Sequence, residues 1–295
     1  MTIRHLRIFI AVADTGKMGQ AAKQLYIAQP TVSQVIADME ETYGIKLFER
    51  LSKKLYITAA GEQLLNYARH IVSLFDEMER SLRNASAHIL LKVGATITVG
   101  SCVLTDVINR YEGQWPNAQV QVIVDNTRVI ERMILESELD LALVEGVVTH
   151  PDILVQPVID DELVLVCGMG HPFARRADVE AEELEGQPFV LREEGSGTRA
   201  RFETYLQARN IEIYPKWICH SADSILHAVA GGQGLTVISK MLAGPLVEQG
   251  RLHILPIRNV RLTRTFNLIY HKNKYLSEPL RHFIQTIVSC DYLGS

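Results

Sequence analysis

A short segment near the N-terminus carries side chains that could read DNA. In AAKQLYIAQPTVSQVIADMEETY, residues 21–43, Ser33 and Gln34 follow closely after Pro30. Serine hydroxyls and glutamine amides hydrogen-bond to phosphates and base edges when a helix presents them in the major groove. Proline loses no hydrogen bond at the first helical position, so Pro30 can begin such a helix. The segment therefore predicts a helix-turn-helix whose second helix presents Ser33 and Gln34 to DNA.

Two further segments could bind a small anion. ATIT, residues 95–98, and EGSGTR, residues 194–199, each lie where a strand is expected to lead into a helix. Backbone N–H groups, hydroxyls and the helix dipole at such a point favour a carboxylate, phosphate or sulfate. Ordinary N-capping is the alternative explanation for either segment alone. The candidate ligand residues here are Thr96, Thr98, Ser196, Thr198 and Arg199, whose guanidinium could pair with the anion in bidentate fashion.

One acidic residue is a further candidate for the same ligand site. Glu145 directly follows the expected strand LDLALV. Its carboxylate could contact a ligand hydroxyl or amine, or it could repel a second negative charge on the ligand.

Apolar residues at helical spacing predict the core that supports the helix-turn-helix. One face of the second helix is predicted to pack inward and the opposite face to stay free. A preceding helix over about 2–14 supplies a third wall. Residues 47–57 predict a two-stranded wing whose basic turn would follow the phosphate backbone. The inward residues are Val32, Ile36, Met39 and Tyr43; the free ones are Thr31, Ser33, Gln34 and Asp38; the wing cations are Arg50, Lys53 and Lys54.

A long amphipathic helix is predicted after the wing, from Thr58 to about Asn84. Thr58 can cap this helix, although Gly61 stands where a capping box has an acidic or amide residue. The apolar residues alternate in spacings of four and three, which is typical of coiled coils. The alternative is a single apolar face of one globular domain. The pattern predicts an arm for self-association through Leu64, Ala68, Ile71, Phe75, Met78 and Leu82.

From residue 91 onward, strands alternate with helices, which predicts a largely parallel α/β sheet. One helix is expected over 100–113. A polar break at Asp160 and Asp161 is expected to precede a new strand at 163–167. Chain crossovers near Asp160 and Thr265 predict a second lobe inserted within the first. A two-lobed body of this kind binds small ligands in its cleft.

Composition limits the class of protein. The 295 residues allow two or three domains, and no run approaches the roughly 18 apolar residues of a membrane span. The net charge of −4 argues against nucleic acid, but residues 1–60 hold eight basic and five acidic residues, and such a basic head suits a DNA-binding module. The N-terminus predicts an amphipathic helix rather than a signal peptide. We therefore expect a cytoplasmic protein with no membrane partner.

The four cysteines have no metal-ligand spacing and are widely scattered. Buried, reduced thiols are expected in a cytoplasmic protein, with a redox-sensing pair as the alternative. We expect no metal site.

The sequence resembles the LysR-type transcriptional regulators over essentially its whole length. The resemblance is carried by LRIFIAVADTGKMGQAAKQLYIAQPTVSQ at 6–34, LFERLSKKLYITAAGEQLL at 47–65 and, less specifically, GSGTR at 195–199. It implies a multidomain α/β protein that is not an enzyme and has no catalytic residues. The implied domains are a winged helix-turn-helix over 1–58, a linker and dimerisation helix over 59–88, and a two-lobed effector domain of the periplasmic-binding-protein type 2 over 91–295. Lobe I would comprise 91–160 and 266–295, and lobe II 161–265.

The resemblance also implies partners and site residues. A homodimer or homotetramer would bind a palindromic promoter site in double-stranded DNA, act on RNA polymerase and respond to a small metabolite, without a cofactor. We expect that effector to be a small anion or carboxylate. The family's DNA-reading positions fall on Gln29, Pro30, Thr31, Ser33 and Gln34, its wing on Lys53 and Lys54, and its effector positions on Thr96, Thr98, Ser196 and Thr198.

The chain departs from the family pattern near the recognition helix. Ala28 replaces a frequent hydroxyl residue at the helix start, and Met18 and Gly19 replace a small hydroxylic or aromatic pair. Gln34 replaces a frequent arginine, which favours an adenine contact over a guanine contact.

Two other classes of protein compete with a regulator. A metabolite-binding enzyme could use the same two-lobed body, but Ser196 lacks the G-x-S-x-G elbow of a nucleophile. His220 and His227 are better explained as surface or core imidazoles than as metal ligands. A periplasmic solute-binding protein would need a signal peptide and would have no helix-turn-helix.

Overall fold

The structure, a computed structural model, describes residues 1–51, 54–83 and 89–289. Contacts within the chain group into two compact units. The first contains Met1–Ala87 with the short segments Leu135–Ser137 and Asn273–Tyr275, and the second contains His88–Ile134, Glu138–Lys272 and Leu276–Ser295. Within the described residues, no helix has the length and apolar character needed to cross a lipid bilayer.

The first unit consists mainly of three short helices, a two-stranded antiparallel wing and a long helix. The first helix begins where Thr2 accepts a hydrogen bond from the backbone N–H of His5, and it ends at Gly16, whose φ of 63° suits glycine. The predicted cap at Thr58 is confirmed, because its Oγ1 accepts from the N–H of Gly61 at 3.0 Å. The elements are α1 Ile3–Thr15, α2 Met18–Gln24, α3 Gln29–Tyr43, β1 Phe48–Leu51, β2 Lys54–Ile57 and α4 Ala59–Arg83.

The core of this unit confirms three of the four predicted inward residues of α3. Val32, Ile36 and Met39 are buried, whereas Tyr43 is 50% exposed. The prediction for Tyr43 was wrong because it is the last residue of α3, where the helix has passed the buried positions. Val35 is buried as well, since the apolar face of a globular helix is wider than one row.

The apolar stripe of α4 lies in two environments. Ala68 is fully buried and Leu64 packs in the core shared with α1, α2 and α3. Further along, Ile71, Met78 and Leu82 are 41%, 46% and 76% exposed. The first half of the stripe therefore supports the helix-turn-helix, and the second half faces solvent.

The second unit is a mixed sheet with helices packed against it. Two 3-10 turns, Pro172–Arg175 and Ala181–Leu184, lie in its longest connection. The strands are β3 Ile89–Ala95, β4 Ala118–Val124, β5 Leu141–Val144, β6 Ile153–Gly168, β7 Pro188–Arg192, β8 Tyr214–Cys219, β9 Leu235–Ser239, β10 Leu252–Ile254 and β11 Leu262–His271. The helices are α5 Ile97–Cys102, α6 Leu104–Gln114, α7 Thr127–Leu135, α8 Gly197–Gln207, α9 Ala222–Ala230, α10 Lys240–Glu248 and α11 Glu278–Ser289.

Two long antiparallel strands, β6 and β11, run through the middle of this sheet, so the prediction of a largely parallel sheet was wrong: the strands paired with β6 and β11 are antiparallel to them. The order is β4-β3-β5-β11-β6-β9-β7-β8, with β10 also paired to β6. Asp160 of β6 lies opposite Thr265 of β11, so the two predicted crossovers are adjacent in space. The expected polar break was wrong: Asp160 and Asp161 lie inside one continuous strand, because their carboxylates accept hydrogen bonds from Thr265 and Arg264 of β11.

Separate apolar clusters give this unit two lobes, which confirms the predicted architecture. One cluster contains Val93, Phe266 and Phe283, and another contains Phe189 and Phe202. β6 and β11 contribute side chains to both clusters. These two strands are therefore the connection between the lobes.

Three elements differ from the prediction in detail. The single helix expected over 100–113 is two helices, α5 and α6, separated at Val103, whose φ of −123° interrupts the helix. β8 and β10 were missed. β8 is an exposed edge strand without alternation of buried and exposed residues, and β10 is only three residues long, so neither has a periodic signal.

Candidate functional site

The N-terminal half of α3 presents the predicted DNA-reading residues. Gln29, Pro30, Thr31 and Gln34 are exposed, and Ser33 is half-buried. The buried residues of α3 lie on its other side. The surface that the sequence assigned to DNA is thus open in the helix-turn-helix.

Two of these side chains have partners inside the helix-turn-helix. Gln34 Nε2 donates to Asp38 Oδ1 at 2.7 Å, one turn further along α3. Ser33 Oγ donates to Met18 Sδ at 3.2 Å, so the unusual Met18 supplies an acceptor for Ser33. As the sequence indicated, Ala28 gives α3 no side-chain cap. Both contacts are near the surface, and DNA would have to replace only one modest hydrogen bond for each side chain.

The structure describes two of the three predicted wing cations. Arg50 is exposed on β1. Lys54 is the first residue of β2, and Lys53 lies outside the described residues. The hairpin itself pairs Arg50 with Leu55 in antiparallel register, which confirms the predicted wing.

A half-buried carboxylate attaches the wing to α3. Glu40 Oε1 accepts hydrogen bonds from the N–H groups of Leu47 and Phe48 at 2.9 and 3.2 Å. Burial opposes ionisation of this carboxyl, but the hydrogen bonds from Lys46, Leu47 and Phe48 prevail and lower the pKa of Glu40. Glu40 therefore acts as an ionised anchor for β1, a role that the sequence did not reveal.

The second unit contains a cleft of about 990 Å³. Its walls come from the start of α7, the turn after β5, the EGSGTR segment with the start of α8, and β11. Of the predicted ligand residues, Glu145, Ser196 and Arg199 line this cleft. Thr96, Thr98 and Thr198 lie beneath it, almost completely buried.

Arg264 occupies the position at which the sequence predicted an anion. Its Nη1 donates to Thr198 Oγ1 at 2.7 Å and its Nη2 donates to Thr98 Oγ1 at 3.1 Å. Its Nε donates to Asp161 Oδ2 at 2.6 Å, and Ser239 Oγ donates to the other oxygen of Asp161 at 2.7 Å. The two threonines are therefore brought together as predicted, but by a guanidinium from β11.

Sequence reasoning missed Arg264 because its partners are distant along the chain. Thr198, Asp161 and Thr98 are separated from it by 66, 103 and 166 residues. A local signal was present: Leu262, Arg264 and Phe266 alternate along one strand and are all buried. A charged residue on the inward face of a strand requires buried partners.

A second buried guanidinium lies next to Glu145. Arg192 forms a bidentate ion pair with Glu193: its Nε and Nη2 donate to the two carboxylate oxygens at 2.9 and 3.0 Å. Its Nη1 lies 4.0 Å from Glu145 Oε1, and Arg264 Nη2 lies 3.1 Å from Glu145 Oε2. The first contact is too long and the second is misaligned for a hydrogen bond. Glu145 Oε2 therefore has no hydrogen-bond donor among the described residues.

Three buried hydroxyls near this cluster also lack partners among the described residues. They are Oγ1 of Thr96, Oγ1 of Thr127 and Oγ of Ser196. Thr96 and Ser196 are the N-cap residues of α5 and α8, but neither side chain makes a capping hydrogen bond. N-capping therefore does not explain these two residues.

Arg199 is held at the side of the cleft. Its Nε donates to Glu203 Oε1 at 2.7 Å, and its Nη1 donates to the carbonyl oxygen of Arg192 at 3.3 Å. An anion would have to compete with Glu203 for this guanidinium.

The described thiols are weakly acidic. Burial raises the pKa of both Cys102 and Cys167 to about 11, and at Cys102 Asp161 and Glu145 add to the increase while Arg264 opposes it. Such thiols stay protonated at neutral pH. Cys290 lies outside the described residues. Across residues 1–51, 54–83 and 89–289, no group of three His, Cys, Asp or Glu side chains is arranged to hold a metal ion.

Comparison with known proteins places both units in one family. The family model described as LysR substrate binding domain matches residues 85–289, and the model described as Bacterial regulatory helix-turn-helix protein, lysR family, matches residues 3–62. The chain is also 30% identical over 284 residues to the Escherichia coli K12 protein named Uncharacterized HTH-type transcriptional regulator YeiE, and the match covers 96% of each chain.

Solved structures have the same fold. A full-length variant of OxyR from Pseudomonas aeruginosa matches with a TM-score of 0.70 and 22% identity, covering 99% of this chain and 96% of that one. The regulatory domain of CcmR from Synechocystis PCC6803, in complex with 2-PG, matches with a TM-score of 0.63 and 24% identity, covering 68% of this chain and 96% of that one. The chain belongs to the LysR family of transcriptional regulators, with a DNA-binding helix-turn-helix followed by an effector-binding domain.

Proposed function

We propose that this regulator binds a palindromic promoter site as a homo-oligomer and that a small anionic metabolite in the cleft alters this binding. The observation that carries the effector part is a set of buried polar atoms at the cleft that have no hydrogen-bond partner in the described part of the chain: Thr127 Oγ1, Glu145 Oε2 and Ser196 Oγ. Buried polar atoms are nearly always hydrogen-bonded. A cleft lined by several buried polar atoms that have no hydrogen-bond partner favours the binding of a polar ligand.

DNA recognition is assigned to α3 and the wing. Gln29, Pro30, Thr31, Ser33 and Gln34 form the reading surface, and the exposure of all of them except the half-buried Ser33 supports this role. Gln34 is the candidate for an adenine contact through its two-pronged amide. Arg50, Lys53 and Lys54 are assigned to the phosphate backbone, where cations add affinity without sequence preference.

Self-association is assigned to the second half of α4. The exposed apolar side chains of Ile71, Met78 and Leu82 recur at heptad spacing, and a row of this kind becomes stable in water when a second helix covers it. Two helix-turn-helix units related by two-fold symmetry would bind half-sites separated by whole turns of the DNA helix. Bound at a promoter in the cytoplasm, the oligomer would act on RNA polymerase.

The anionic effector is assigned to the floor of the cleft. Ser196 precedes α8, whose N-terminal dipole favours negative charge, and Arg264 supplies a guanidinium at the same wall. Thr96, Thr98, Thr198 and Arg199 complete the proposed effector residues. The related CcmR regulatory domain was solved in complex with 2-PG, which supports a small ligand of this kind. A coupling of roughly 1–3 kcal/mol between the cleft and the DNA-binding heads would change promoter occupancy.

DNA binding is tested by affinity measurements at several salt concentrations. Replacing Lys53 and Lys54 together by Ala should weaken binding to all sequences and flatten the salt dependence. Gln34→Ala should instead reduce the preference for the operator over other DNA. Unchanged binding by both variants would contradict the assignment of these residues.

Effector binding is tested with variants that disturb no internal hydrogen bond. Ser196→Ala and Thr96→Val each remove a hydroxyl that has no partner among the described residues, so the free energy of unfolding should change little. Titration calorimetry with an effector found by thermal-shift screening should show weaker binding by both. Unaltered affinity in the two variants would show that the effector binds elsewhere.

A further inference from the structure

The buried charges beneath the cleft are unbalanced. Two guanidiniums, of Arg192 and Arg264, face three carboxylates, of Glu145, Asp161 and Glu193, and all five side chains are buried. The group therefore carries a formal excess of one negative charge. A purely anionic ligand would add to this excess in a region of low dielectric, where repulsion between like charges is strong.

The excess resides on Glu145. Asp161 is bonded to Arg264 and Ser239, and Glu193 is bonded to Arg192, each through short and aligned contacts. Glu145 has only a contact of 4.0 Å and a misaligned contact of 3.1 Å to the same two guanidiniums. Its Oε2 receives no hydrogen bond from the described residues, although a buried carboxylate needs several.

Two glycines bring Glu145 together with Thr127 and Ser196, whose hydroxyls also have no partner within the described ranges. A Cβ on Gly146 would lie 2.5 Å from Thr127 Oγ1, and a Cβ on Gly197 would lie 2.6 Å from the carbonyl oxygen of Glu145. Only glycine permits these approaches, because Cβ atoms essentially never come so close to another heavy atom. The start of α7, the end of β5 and the start of α8 are therefore packed so that Thr127, Glu145 and Ser196 line one wall.

We infer that the effector carries an O–H or N–H donor next to its anionic group, and that this donor binds Glu145. The inference rests on the proposed effector site and narrows its ligand class to hydroxy acids and amino acids or their phosphorylated equivalents. The donor supplies the hydrogen bond that Glu145 Oε2 lacks, while the anionic group lies towards Ser196, the start of α8 and Arg264. Sulfate, phosphate and simple carboxylates lack the donor when ionised, or carry it at the wrong distance from the charge, and they are selected against.

The first test is the stability of the full-length protein without added ligand. Glu145→Gln leaves two balanced pairs, Arg264 with Asp161 and Arg192 with Glu193, so Tm should rise by about 2 °C or more. The matched control is Asp161→Asn, which removes the aligned partner of Arg264 and should lower Tm. If Glu145 is only an ion-pair partner of Arg264, Glu145→Gln will lower Tm as the control does, and the inference is overturned.

The second test is a thermal-shift and calorimetry panel of matched compounds. Glycolate is compared with acetate, and L-lactate and L-alanine are each compared with propionate. Sulfate serves as a donor-free oxyanion, and inorganic phosphate as an oxyanion whose O–H lies on the charged group itself. The panel also contains phosphorylated hydroxy acids such as 3-phosphoglycerate. We expect binding from a compound with a donor, at least tenfold tighter than its matched counterpart, and loss of that preference in Glu145→Gln. The lactate and alanine arms distinguish a hydroxyl donor from an ammonium donor.

The remaining outcomes separate this inference from the proposed function. Equal binding of matched compounds, or binding of sulfate alone, overturns the donor inference and leaves the anionic effector in place. If no member of the panel binds, the anionic-effector proposal fails, and the inference fails with it.

Discussion

The proposed DNA-reading surface of α3 and the floor of the cleft use polar residues in opposite ways. On α3, Gln34 hydrogen-bonds to a residue four positions away on the same exposed helix. In the cleft, Arg264 is buried and bonds to residues up to 166 positions away. The difference predicts that substitutions on the proposed reading surface of α3 will change recognition with little effect on folding, whereas substitutions in the hydrogen-bonded network of Arg264 will change both.

The largest effect that this comparison predicts is the loss of Arg264. Arg264→Ala leaves Asp161 and Glu145 buried without their guanidinium, so the free energy of unfolding should fall by about 3–5 kcal/mol. Urea denaturation of the wild type and of the variant measures this loss in the free energy of unfolding. Arg258→Ala is the control, because Arg258 pairs with Asp178 at the surface and such pairs contribute about 0–1 kcal/mol. Equal losses in the two variants would contradict the special role of the cleft floor.

A smaller loss is expected where glycine permits close packing of the cleft wall. In Gly146→Ala the new Cβ meets the Thr127 side chain, and the strain should lower stability by about 1–3 kcal/mol. Effector affinity should fall in the same variant because Thr127 and Glu145 are displaced. In the control Gly113→Ala, the Cβ meets nothing within 4 Å, and stability should rise by up to about 1 kcal/mol. Thermal denaturation and calorimetry check both effects.

A substitution at Glu40 tests whether a charged side chain also stabilises the first unit, by holding the wing against α3. Glu40→Gln removes the charge that accepts from Leu47 and Phe48, and should lower stability by about 1–2 kcal/mol. Because the pKa of Glu40 is lowered in the folded chain, its contribution is complete above the unfolded value of 4.5 and is lost as the pH falls through the folded value. Denaturation at pH 7 and at a series of pH values below 4.5 should therefore show the stability difference between the wild type and the variant shrinking as the pH falls. A difference that does not depend on pH would contradict an ionised anchor.

The smallest effect on stability is expected at Gln34. Gln34→Ala removes one exposed hydrogen bond to Asp38, so the free energy of unfolding should change by no more than about 0.5 kcal/mol. Discrimination at one base pair of the operator should nevertheless fall by about 1–3 kcal/mol. Denaturation and competition binding with single-base operator variants measure the two quantities. A large loss of stability would remove the contrast between the two regions.

The sequence predicted the helix-turn-helix closely because its signals are local. Pro30, the apolar spacing around Val32 and the cap at Thr58 each act within a few residues. Prediction failed where a partner came from another element. Asp160 and Asp161 were interpreted as a polar interruption between two strands, because nothing nearby in the sequence indicated their hydrogen-bond donors Thr265 and Arg264.

The candidate ligand site was predicted in the same partial way. The EGSGTR segment predicted Ser196 and Thr198 as ligand residues, and a similar helix start predicted Thr96 and Thr98; these assignments stay predictions. What binds Thr98 and Thr198 was not found, because a hydroxyl in a sequence does not show whether its partner is a ligand or another side chain.

By itself the sequence determined the order of most helices and strands, the exposed face of α3 and the two-lobed body, since amphipathic periodicity and turn residues act over a few positions. The tertiary structure alone decided which polar groups share the cleft floor. Charge balance and hydrogen bonding there depend on contacts that long antiparallel strands create between distant residues, and they leave Glu145 Oε2 without a hydrogen-bond donor among the described residues.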